Sequence, residues 1–141
     1  MSLMTAIEVG ASGLTAQRSR LEVLVSNLVN ANTTQPAGVE PHRRKDVIFT
    51  AQSPETSFGA ALDDAVQGVQ VSGMMTDQSP PRKEHDPSHP HADKDGYVYY
   101  PNIHPMTEMV NVLSATRSYE ANLQAVNAAK DMQQKTLEIL R

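Results

Sequence analysis

The chain has 141 residues, a formal net charge of -4 at pH 7, 39% hydrophobic and 4% aromatic residues, and no cysteine. The missing cysteines exclude a disulfide framework, a thiol nucleophile and a Cys-ligated zinc, and mild acidity argues against a nucleic-acid binder, which usually presents a basic face. Aromatic side chains supply much of an ordinary core, so this composition points to a thin helical structure or one completed by neighbouring copies.

No stretch approaches the ~20 apolar residues needed to span a membrane. The N-terminus does not read as a cleaved signal peptide. Glu8 interrupts its short apolar stretch, no basic segment precedes that stretch, and no cleavage site follows. Read alone, this predicts a cytoplasmic protein or one exported without a cleaved signal.

Residues 1–34 form the first zone. From Ser2 to Ala31 there is no proline, and Ile7, Leu14, Leu21 and Leu28 recur every seven residues. Ala11, Leu24, Val25 and Ala31 widen this column into a helical stripe of coiled-coil character. Gly10 and Gly13 should weaken its front, each by about 1 kcal/mol relative to Ala. The helix is expected to be firmest from Leu14 onward and to end near Asn30, Asn32, Thr33 and Thr34, ahead of Pro36 and Gly38.

Residues 35–104 hold nearly all the prolines and most turn formers. The basic run Arg43-Arg44-Lys45 reads as a solvated turn or strand end. Lys45 to Thr50 reads as a short strand, and Gly68 to Ser72 alternates with period two and reads as another. Between them, Ala51 to Gln67 is small and polar, either loop or a brief helix around Ala60 to Val66. Gln78 to Arg82 must be extended or turning, because proline fixes φ and restricts its predecessor. Asp95-Gly96 is a turn signal ahead of Tyr97 to Tyr100, a third expected strand.

Residues 105–141 form the last zone. Pro105 suits a helix start, and neither Pro nor Gly follows it. Met109, Val112, Thr116, Tyr119, Leu123, Val126, Lys130, Gln133, Leu137 and Leu140 follow alternating three- and four-residue steps. Alanines at 115, 121, 125, 128 and 129 favour helix and close approach. At 1.5 Å per residue this helix should be roughly 50 Å long and the N-terminal one roughly 40 Å.

The expected fold is therefore mainly α with a small β-rich middle. The two terminal helices pair as a coiled-coil-like hairpin, because the middle is too poor in apolar residues to bury both stripes. Apolar surface left over would be covered by other subunits.

Particular residues carry a family resemblance. Ser12-Gly13-Leu14-Thr15-Ala16-Gln17 and Ser26-Asn27-Leu28-Val29-Asn30-Ala31-Asn32-Thr33-Thr34 resemble the N-terminal signature of flagellar rod and hook proteins, with Val29 where Ala is usual. Arg43-Arg44-Lys45-x-Val47-x-Phe49 resembles the segment after that helix in a proximal rod protein, with His42 where Tyr is common. Asp86-Pro87-x-His89-Pro90-x-Ala92-Asp93-x-x-Gly96-Tyr97-Val98 and Pro101-Asn102 are similar to the same protein. So are Glu108-Met109-Val110, Ser114-Ala115-x-Arg117-Ser118-Tyr119-Glu120-Ala121-Asn122 and Asn127-x-x-Lys130-x-Met132. These matches run in order across nearly the whole chain and are weakest over Ala51 to Gln67.

The resemblance implies a structural subunit of the basal-body proximal rod, not an enzyme. It implies uncleaved passage through the flagellum-specific type III export apparatus, periplasmic assembly and transmission of torque. The implied partners are other copies of the chain and other rod proteins, with no cofactor, nucleic acid or small-molecule substrate. Subunit contacts are expected at Leu14, Leu21, Asn27, Leu28, Asn30, Asn32, Met109, Val112, Tyr119, Leu123, Val126, Leu137 and Leu140.

Two rival readings come from other classes: a small metal-binding protein and a cytoplasmic coiled-coil adaptor. The first would use His85, Asp86, His89, His91, Asp93 and Asp95, six potential ligands within eleven residues. A calcium loop counted from Asp93 has His104, not Glu, at its twelfth position, and Pro87 and Pro90 stiffen the segment, so an ordinary surface loop is the expectation. Asn27, Asn30 and Asn32 read equally as helix-end caps or as amides bonding to neighbouring subunits. Ser114 and Ser118 lack a neighbouring His–Asp pair, which disfavours a nucleophile.

Overall fold

The computed structural model describes residues 3–52 and 67–139. The brief helix considered near Ala60 to Val66 lies outside those residues, as does Leu140. Helix α1 spans Leu3–Asn30 and helix α2 spans Pro105–Ile139. Between them come β1 (Lys45–Gln52), β2 (Gly68–Thr76), β3 (Arg82–His85) and β4 (Tyr97–Tyr100). The fold is mainly helical with a small β middle, as expected.

The helices lie antiparallel. Gly10 meets Val126, Gly13 meets Asn122, and Asn27 meets Glu108. The buried side chains of this seam are Ala16, Val23 and Leu24 on α1, and Ala115, Val126 and Ala129 on α2. The leucine column of Leu14, Leu21 and Leu28 does not form its centre; all three are half-buried beside it. Ala16, Ala115 and Ala129 let the two backbones approach, and Leu24, Val23 and Val126 fill the rest of the seam.

Gly10 and Gly13 explain themselves in this geometry. The helix is continuous through both, and a Cβ on Gly10 would lie 2.5 Å from Val126 Cγ2. A Cβ on Gly13 would lie 2.9 Å from Asn122 Nδ2. Val126 is branched at Cβ and stiff, whereas the Asn122 amide can swing away. Gly10→Val should therefore destabilise the chain by about 1–3 kcal/mol through overpacking, and Gly13→Ala by less. Urea midpoints followed by circular dichroism would measure both, and an unchanged midpoint for Gly10→Val would refute the close approach.

The strands form two antiparallel hairpins, β1–β2 and β3–β4. In the first, Ile48 faces Gly73 but Phe49 faces Val71, so Ser72 is an extra residue. Its hydroxyl donates to the Ile48 carbonyl at 3.2 Å, which occupies the gap such a bulge opens. Ser12 of α1 accepts the Val69 amide at 3.0 Å and donates to the Val9 carbonyl, fastening β2 to the helix. In the second hairpin, Arg82 lies over the Tyr100 ring and Lys83 over the Tyr99 ring. Val98, Pro101 and Ile103 are buried where this hairpin leads into α2.

Candidate functional site

A buried polar joint ties the end of α1, the start of β1 and the first turn of α2. Pro105 opens α2, and the Glu108 amide makes a helical bond to the His104 carbonyl. That turn brings the Glu108 carboxylate to the end of α1, where Asn27 is 0% exposed and Glu108 is 1% exposed. Arg44 Nε donates to Glu108 Oε1 at 2.8 Å, and Arg44 Nη2 donates to Asp46 at 3.2 Å. The hydrogen bond to Glu108 raises the Arg44 pKa further, outweighing partial desolvation, so the guanidinium stays charged.

Asn27 completes the joint in an unusual way. Its Nδ2 donates to the Lys45 carbonyl at 2.7 Å and its Oδ1 accepts the Lys45 amide at 3.0 Å. Nδ2 also lies 3.4 Å from Glu108 Oε2, and Asn111 Nδ2 lies 3.4 Å from Glu108 Oε1. A helix side chain thus occupies the place a neighbouring strand would take. Paired with Arg44 and hydrogen-bonded in this way, the buried Glu108 side chain is satisfied rather than orphaned.

The other asparagines behave differently. Asn30 turns its amide back onto the Ser26 carbonyl, and its own carbonyl accepts from the Thr33 hydroxyl. Asn32 is exposed. The basic run is not simply solvated: Arg43 pairs with Glu40 and reaches Gln78, Arg44 holds Glu108, and Lys45 gives its backbone to Asn27. Arg43–Glu40 is a local pair, whereas the sequence carried no signal for the links to Gln78, Glu108 and Asn27, because those partners lie 35, 64 and 18 positions away.

The His/Asp segment between β3 and β4 is organised by its own backbone. Asp93 Oδ1 accepts the amides of Asp95 and Tyr97, both at 2.9 Å, and Oδ2 faces the Tyr99 hydroxyl. The Tyr97 amide leads in holding the Asp93 carboxyl below the usual carboxylate range. The Ser88 hydroxyl and amide do the same for Asp86. His91 Nδ1 lies 2.8 Å from the Thr34 hydroxyl, tying the loop to the exit of α1. Gly96 has φ +77°, and a Cβ there would crowd Pro87 and His85. Among the described residues no three His, Asp or Glu side chains gather as metal ligands. The Ser118 hydroxyl is turned onto the Ser114 carbonyl of its own helix.

His42 faces a cavity lined by Arg44, Asp77, Pro81 and Pro101. Its Nε2 is buried without a hydrogen-bond partner among the described residues. Burial, helped by the Lys45 charge, lowers its pKa from 6.5. The unfolded chain therefore takes up a proton before the folded one does. The stability this gives is complete above pH 6.5 and is lost as pH falls through the folded value. The urea midpoint should drop as the buffer is taken from neutral to mildly acidic, and His42→Tyr should flatten that dependence. An identical pH dependence in the variant would remove His42 as its source.

The remaining expected contact residues fall into distinct places. Val126 is buried inside the hairpin, and Val112 and Tyr119 are half-buried. Met109, Leu123 and Leu137 are exposed. The α2 seam outruns its partner, because the antiparallel register that sets Gly10 against Val126 brings Leu3 to about Met132. From Asp131 to Ile139 every residue is exposed, Leu137 at 63% and Ile139 at 85%.

Comparison with known proteins gives results over the same helices. Residues 7–36 match the family described as "Flagella basal body rod protein", and residues 94–139 match "Flagellar basal body rod FlgEFG protein C-terminal". The FlgC flagellar basal-body rod protein of Bacillus subtilis (strain 168) is 43% identical over 150 aligned positions, covering 99% of each chain. That of Borreliella burgdorferi is 37% identical, covering 100% of this chain and 99% of the relative. That of Salmonella typhimurium (strain LT2) is 38% identical, covering 99% and 98%.

Proposed function

The chain belongs to the FlgC family of flagellar basal-body rod proteins, and from that premise we propose how it serves there. It is a structural subunit of the rod and assembles with other rod proteins. In our reading it occupies the proximal part of the rod and acts without catalysis. It passes the flagellar type III export apparatus with no cleaved signal and polymerises in the periplasm through its terminal helices. The resulting tube carries torque from the motor outward.

The observation that supports this most is a coincidence of segments. The two stretches similar to rod families contain most of α1 and all of α2, the two helices that close on each other. The joint of Asn27, Arg44 and Glu108 fixes how they meet the β middle. Outside it, α2 shows Met109 at 50%, Leu123 at 42% and Leu137 at 63% exposure. Apolar helix faces of this kind gain stability from tertiary burial. Of the expected contact residues, Asn27 and Val126 serve within the chain, while Leu14, Leu21, Leu28, Asn30, Asn32, Val112 and Tyr119 border surfaces a neighbour can cover.

The test is genetic and structural together. Cells lacking this chain should yield basal bodies without a completed rod, and the intact chain should restore the rod. Complete rods and normal swimming in its absence would overturn the reading.

A further inference from the structure

The outer face of α2 carries an apolar stripe near its start. Met106, Met109, Val110 and Leu113 are 73%, 50%, 63% and 52% exposed. Their i, i+3, i+4, i+7 spacing puts them on one side of the helix, away from the buried Glu108 and Ala115. Beyond Leu113 the surface continues as a shallow groove over the small side chains Ser114, Ser118 and Ala121. Arg117 stands at this groove with no ion pair among the described residues.

The other end of α2 carries a matching feature. Met132 and Ile139 lie seven residues apart, as Met106 and Leu113 do, and are 52% and 85% exposed. Lys135 shares their face, and its aliphatic stem suits an apolar contact. Glu138 likewise makes no ion pair among the described residues. Beyond about Met132, no described residue of α1 lies opposite it.

We propose that the last two turns of α2 dock, parallel, on the outer Met106–Leu113 stripe of a second copy of this chain. The inference rests on the reading of the chain as a rod subunit and names the contact that joins copies. The occupant cannot be the chain's own terminus. Moving Met132 onto Met106 and Ile139 onto Leu113 is a shift of 26 residues, about 39 Å along a straight helix. No Pro or Gly interrupts that helix to let it fold back. The same shift sets Glu138 level with Val112, five residues or about 7.5 Å along the helix from Arg117, a gap these two long side chains can span. A tail-on-head contact uses two different surfaces, so it propagates instead of closing.

The chain has no native cysteine, which makes cross-linking selective. Ile139→Cys and Leu113→Cys would be expressed together, and basal bodies treated with a mild oxidant or a short bis-maleimide. A cross-linked dimer of this chain is expected from the mixture and from neither variant alone. Intact basal bodies that give no such dimer overturn the proposal while leaving the rod-subunit reading in place. So do a dimer from Leu113→Cys alone, which means stripe against stripe, and a product with a different protein. Absence of the chain from basal bodies of swimming cells would instead defeat the rod-subunit reading itself. Where the cysteine variants do not incorporate, charge reversal decides. Arg117→Glu should reduce the number of complete rods, and adding Glu138→Lys should restore it; no restoration overturns the contact.

Discussion

Arg44→Met should be the most damaging single substitution in the joint. It leaves the Glu108 carboxylate, 2% exposed at its side chain, with only the 3.4 Å amide contacts of Asn27 and Asn111. Removing one partner of a buried ion pair costs about 3–5 kcal/mol, because the survivor is desolvated without compensation. That is a large share of the stability of any small domain. Arg44→Met/Glu108→Leu should recover much of the loss, since an apolar pair of similar size carries no stranded charge. A double-mutant cycle in urea, followed by helicity, measures the coupling. If the double variant is no more stable than Arg44→Met, the ion pair is not what holds α2 to β1. Motility should follow stability, with Arg44→Met non-motile.

Deleting Thr136 to Arg141 should have the largest effect on assembly. Leu137 and Ile139 are 63% and 85% exposed in the single chain. Burial of each against a neighbour would contribute up to about 1.5–3 kcal/mol, repeated in every copy. The intrachain seam does not need them, because α1 has no residue opposite. The truncated chain should therefore be exported yet fail to incorporate stably. It should be found in the periplasm or the medium, while basal bodies stall before the distal rod. Complete rods and normal swimming with the truncated chain would refute the role of this end.

The helices were legible because their signals are local. Absence of Pro from Ser2 to Ala31, Pro105 as an opener, and three- and four-residue apolar steps are all written in neighbouring residues. The seam was legible only in outline. Counting large apolar residues favours Leu14, Leu21 and Leu28, whereas the closest approach falls at Gly10 and Gly13, which carry no side chain to count. Strand β3 was missed because Arg82-Lys83-Glu84-His85 is polar and exposed throughout, with no alternation to reveal it. It is a strand because β4 pairs with it and the tyrosines of β4 receive its cations. The joint was illegible for another reason. Asn27 and Glu108 are 81 positions apart, and Arg44 and Glu108 are 64 apart, so no window of sequence contains both ends.

That separation also governs the order of events as the chain folds. Contacts closing long loops carry a loop-closure entropy and form late. The β1–β2 pairing closes a shorter loop, from Gln52 to Gly68, whereas Asn27 and Arg44 can satisfy Glu108 only once α2 has been delivered. A chain emerging N-terminus first therefore presents α1 with its seam uncovered until the final quarter arrives. The Glu108 contact therefore forms only in a chain that has come through to its last helix.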